Sequence, residues 1–97
     1  MQTYVILRRG GWQSTIDLER AADRSTQAGD EMSDHVRWIR SYVLDEGEGA
    51  VGTVCVYQAS SPEVLRTHAE KADLPVDEII LVADTVVVRE DPAPATT

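Results

Sequence analysis

A cysteine, a tyrosine and a histidine stand close together in "VCVYQASSPEVLRTHAEKADLP", Val54 to Pro75. Alternation along an extended strand puts Cys55 and Tyr57 on one face and Val54 and Val56 on the other. His68 follows on a helical stretch, beside Val64, Leu65 and Ala72, and so lies on or beside the face those apolar residues turn toward a sheet. A thiol, an imidazole and a phenol can therefore converge between a strand and a helix. Imidazole and thiolate are good ligands for nickel, copper and zinc, and metal binding favours the deprotonated form of both. With a turn centred near Gly47 and Glu48, Tyr42 falls roughly opposite Cys55. Tyr42 or Tyr57 could then orient a bound group. The competing reading is packing: a lone buried cysteine is most often a small core hydrophobe, and a strand tyrosine most often packs with its hydroxyl at the rim.

His35, in "SDHVRW", stands where the first helix hands over to a strand. It reads first as a solvated loop residue or cap partner, and second as a metal ligand with Asp34 at a dimer edge. Other motifs carry less. "LDEGEGAVG" lacks the ligand spacing of a calcium loop and reads as a polar hairpin turn. "RRGGW" is followed by no GK[ST] and is no phosphate loop. Arg37 and Arg40 could attract an anion, but read better as salt-bridged surface groups. No CxxC, no HExxH and no Ser-His-Asp order stands out.

The elements that must position these residues follow from local pattern. "TYVILRR" reads as a strand over about Thr3 to Arg8, broken by Gly10 and Gly11. "STIDLERAADRSTQAG" reads as a helix capped by Ser14 or Thr15 and stopped at Gly29. "HVRWIRSYVLD" alternates as a strand, with Val36, Trp38, Tyr42 and Leu44 on one side, interrupted by Arg40, and Ile39 and Val43 on the other. A glycine-rich turn leads into "AVGTVCVYQA" as its hairpin partner. Ser61 and Pro62 open a second helix, and "DEIILVADTVVVRE" is the last extended region, in one piece or bent near Ala83 or Asp84. The order is β-α-β-β-α-β. It predicts a ferredoxin-like α+β fold, a four-stranded antiparallel sheet with two helices on one face.

Apolar runs "IILV" and "VVV" would be buried on both sides. Two helices cover only one face, so a second copy of the chain is expected on the open face, as a homodimer. Residues 1–90 are expected to form one domain and 91–97 a disordered tail. The net charge of −8 argues against nucleic acid and anionic membranes as partners. No segment has the length to span a bilayer, and "MQTYVILRRGG" does not read as an export signal. Cys55 is the single cysteine, which suits a reducing cytoplasm.

"WIRSYV", "CVYQA", "HAEKADLP" and "DEI", in this order and spacing, resemble a family of small bacterial proteins long classed as a domain of unknown function, which includes a nickel-binding protein of actinobacteria. The resemblance spans about Tyr4 to Val88. It implies the same fold, a homodimer and nickel binding, with His68 as the matching metal ligand and Cys55, Tyr42 and Tyr57 in the pocket. The sequence departs from the pattern where Asp73 stands in place of a glycine, and where Arg8 and Arg9 stand in place of an acidic residue found in some relatives. The expected function is nickel sequestration or buffering by a non-enzymatic protein. The alternative is a cofactor-independent enzyme or ligand-binding protein that uses a cleft between helices and sheet.

Overall fold

A computed structural model describes residues 1–93 of the chain. Strand β1 runs over Gln2–Trp12, helix α1 over Thr15–Glu31, strands β2 and β3 over Val36–Gly47 and Ala50–Ala59, helix α2 over Pro62–Ala72 and strand β4 over Glu78–Leu81. The strands form one antiparallel sheet in the order β2-β3-β1-β4. This is the ferredoxin-like α+β fold expected from the element order.

Both helices start as their sequences dictate. Ser14 Oγ accepts a hydrogen bond from the Asp17 N–H at 3.2 Å, and Ser61 Oγ accepts one from Val64 at 3.3 Å, with Pro62 in the first turn. Helix α1 passes Gly29 and ends two residues later, where the Met32 N–H closes on Ala28 and Gly29 carbonyls. A side chain at Gly29 would meet His68 Nε2 at 3.8 Å, so this position brings the two helices close. Helix α2 ends with Asp73 at φ 53°, a left-handed cap conformation that glycine adopts most easily. Arg24 closes the same end, donating from Nε to the Ala72 carbonyl at 2.7 Å.

Strand β1 does not break at the glycines. Arg8 pairs with Thr53 and Trp12 with Val51, so three residues on β1 bulge out opposite Gly52. Gly10 makes this possible at φ 54°. The extra residues number two, so the alternation is kept: Tyr4, Ile6, Arg8 and Trp12 are all buried toward the helices. Strand β2 carries a different bulge. Trp38 pairs with Tyr57 but Arg40 pairs with Val56, leaving Ile39 extra. One extra residue reverses every facing beyond it. Ser41, not Tyr42, is therefore opposite Cys55, and Tyr42 pairs with Val54 on the other face. The hairpin turns at Glu48 and Gly49, both at positive φ, as a two-residue turn of the primed type requires.

The last extended region is shorter than its sequence suggests. Strand β4 stops at Leu81, and Val86, Val87 and Val88 are each at least 75% exposed. Val82 and residues 84–91 line a groove over the open sheet face with Val5, Val56 and Tyr42. Asp91 holds that segment down by pairing with Arg40 and accepting from the Tyr42 hydroxyl at 3.0 Å. Of the expected tail, Asp91–Ala93 carry neither helix nor strand, and 94–97 lie outside the described residues. Among the described residues no helix is long and apolar enough to cross a membrane.

The core on the helix side falls into two clusters. Tyr4, Ile6, Cys55, Tyr57 and Leu65 belong to one, and Trp12, Ala21 and Val51 to the other.

Candidate ligand pocket and metal-binding residues

A cavity of about 490 Å³ opens between α1 and the sheet, lined by members of both core clusters. Trp12, Leu18, Val43 and Leu74 supply apolar wall, with Trp38 on the edge strand. Trp38 stacks on Tyr57, with ring centroids 6.1 Å apart and planes 10° from parallel. Cys55, Thr53, Tyr57, Ser25 and Arg8 supply the polar atoms of the lining.

Ser25 of α1 ties three elements together. Its hydroxyl shares a hydrogen bond of 3.2 Å with the Tyr57 hydroxyl, and its carbonyl accepts from His68 Nε2 at 3.1 Å. The bond to a carbonyl makes Nε2 the protonated nitrogen. His68 is 1% exposed and its ring lies 5.5 Å from that of Tyr57. Burial holds the His68 pKa below the ordinary value; the Ser25 carbonyl opposes this and the Arg8 charge adds to it. The ring is therefore neutral, and its Nδ1 lone pair finds no donor among the described residues. Burial pushes the Tyr57 phenol up, against the Ser25 hydrogen bond.

The histidine shift has a consequence for stability. Below the ordinary value of 6.5 the unfolded chain takes up a proton that the fold refuses. Stability is then lost as pH falls through that value toward the depressed one, with a slope of at most about 1.4 kcal/mol per pH unit from this group. Urea unfolding of the parent and of His68→Gln, at pH values between about 5 and 7.5, should show the steeper loss in the parent. Parallel slopes would contradict the assignment.

The expected site residues are only partly brought together. Cys55 and Tyr57 line the cavity, and His68 packs on Tyr57 from α2. Cys55 is buried with its Sγ donating to Thr53 Oγ1 at 3.3 Å. Tyr42 lies on the open face through the Ile39 bulge. His35 is exposed in the α1–β2 turn, with Nδ1 3.4 Å from the Ser60 hydroxyl, apart from the other three. Among the described residues no three of His, Cys, Asp and Glu come together to hold a metal ion. The Arg8 charge lowers the His68 pKa, and the same repulsion acts against a cation held there.

The sequence shows Arg8 with Arg9 at the end of a strand, where some relatives carry an acidic residue, and its inward facing was missed. Period two carried the signal, since Tyr4, Ile6 and Arg8 share parity while Arg9 points out. Arg9 instead makes a two-pronged ion pair with Glu46, at 2.7 and 3.0 Å.

Comparison with known proteins supplies kinship. No curated protein matches the chain. A solved structure, described as the crystal structure analysis of SCO4226 from Streptomyces coelicolor A3(2), matches with a TM-score of 0.69 and 20% identity, over 87% of this chain and 99% of that one. At that identity the likeness shows the fold. The family profile described as "Nickel responsive protein SCO4226-like" matches residues 4–82. The chain belongs to this SCO4226-like family of nickel responsive proteins.

Proposed function

We propose that this chain is a non-enzymatic binding protein that holds a small, largely apolar molecule in the pocket beneath α1. The observation that supports this most is the cavity itself, about 490 Å³ with aromatic and aliphatic walls and a few convergent polar groups. That is the size and character of a small-molecule site. Trp12 and Trp38, the two tryptophans of the chain, both line it. Decanol and cyclohexylmethanol should therefore shift or quench tryptophan emission saturably. An emission spectrum unmoved by either would count against the pocket.

A second reading makes nickel itself the ligand, for sequestration or buffering. It is favoured by the family description and by the His68 Nδ1 lone pair, buried without a partner among the described residues. Cys55 would be the second protein donor, and further donors would come from outside this group. Calorimetric titration with nickel, on the parent and on His68→Ala, tests it. Micromolar binding lost in the variant supports this reading, and no binding by the parent removes it.

Either reading is compatible with a homodimer formed through the open sheet face, and we propose that assembly. Ile80, Tyr42 and Val86 to Val88 leave apolar surface exposed there. Sedimentation at micromolar concentration should give twice the 10.7 kDa chain mass. A monomeric mass would exclude this assembly. A reducing cytoplasm suits the free, buried thiol of Cys55.

A further inference from the structure

An apolar ligand alone leaves Arg8 unexplained. This side chain is 1% exposed and lines the cavity. Its Nη1 donates to the Pro75 carbonyl at 2.8 Å. Its Nη2 is buried and makes no well-formed hydrogen bond among the described residues; the neutral Tyr57 hydroxyl lies near enough for Arg8 to lower its pKa, but brings no counter-charge. No carboxylate among the described residues forms an ion pair with it. A lysine or histidine in this place could shed its charge, but a guanidinium keeps its proton at any ordinary pH. A buried charge without a counter-ion is among the costliest groups a fold can hold.

We propose that the pocket selects apolar anions, a carboxylate on a hydrocarbon body, and that Arg8 Nη2 donates to the carboxylate. This rests on the reading of the cavity as a ligand pocket and adds the chemical class of ligand. The ligand would bring the acceptor that the chain does not provide. Thr53 and Tyr57 place two hydroxyls in the same lining, able to donate to the second oxygen. The hydrocarbon body would lie against Trp12, Leu18, Val43 and Leu74. Two exposed charged groups also line the cavity: Arg40, which is paired with Asp91, and Glu19, which faces solvent and is screened by it. Arg8 is then the buried charge that decides selectivity.

The test uses matched probes that do not absorb where tryptophan does. Decanoate is compared with decanol, and cyclohexanecarboxylate with cyclohexylmethanol, by tryptophan emission on the full chain. Each carboxylate should bind at least about tenfold more tightly than its alcohol, as expected of a charge-assisted hydrogen bond in a buried site. Arg8→Met should abolish that preference while the alcohols still bind. Arg8→Lys, which keeps the charge but loses the fork, should retain part of it and guards against a methionine variant that fails to fold. Equal affinity of acid and alcohol in the parent would overturn the anion inference and leave the pocket reading standing. A preference that survives Arg8→Met would also overturn it. Binding of no probe at all would overturn both.

Discussion

Arg8→Met is expected to leave the free protein at least as stable as the parent, and up to about 3 kcal/mol more stable. The direction is unusual for a fully buried side chain, because large core substitutions generally destabilise. It follows from two opposing terms. The variant loses the bond from Nη1 to the Pro75 carbonyl, worth roughly 1 kcal/mol. It also removes a buried guanidinium with no counter-ion among the described residues, whose desolvation costs several kcal/mol. Methionine is flexible enough to fill much of the vacated space. Urea unfolding of both proteins without added ligand measures the difference. A residue kept for binding stabilises the free fold when removed; a structural strut destabilises it. A loss greater than about 2 kcal/mol would identify Arg8 as a strut between β1 and the segment before β4.

Gly52→Ala is expected to cost about 3 kcal/mol, lowering the melting temperature by roughly 10–20 °C. A methyl group there would sit 2.5 Å from the Arg8 carbonyl oxygen, 2.6 Å from Glu46 Oε1 and 3.0 Å from the Gly10 nitrogen. The glutamate side chain can swing aside, but two of the three neighbours are backbone. The strain would fall on the bulge that begins directly after Arg8. The Arg9–Glu46 ion pair, also bonded to the Gly10 N–H at 3.2 Å, would be pushed apart with it. Thermal unfolding by circular dichroism reads the loss. A variant that melts with the parent would mean that the two strands can separate locally at the bulge without cost.

The fold was legible where local rules decide it. Ser14, Ser61 and Pro62 announce helix starts, and the alternation in "TYVILRR" and "TVCVYQA" announces strands that pair. What the sequence hid were the irregularities. The Ile39 bulge leaves only one signal, the charged Arg40 interrupting the apolar side of an alternating run, yet it moves Tyr42 from the pocket to the open face. The two glycines after Arg9 look like a stop, but serve as a bulge because β3 runs alongside and holds the chain extended. The valines at 86 to 88 look like core, but strand β4 finds only β1 to pair with and ends at Leu81. Within the site, Cys55, Tyr57 and His68 could be placed by periodicity. Arg8 could have been, had its parity been weighed above its charge.

Arg8 is proposed to hold the anionic end of a ligand inside the α1 cavity. A crystal structure of the protein with decanoate tests it most directly. A carboxylate oxygen is expected at about 2.7–2.9 Å from Arg8 Nη2, with the chain of the ligand passing between Trp12 and Trp38. Decanoate lying elsewhere on the molecule, with the cavity closed by Trp38 or Leu18, would contradict it.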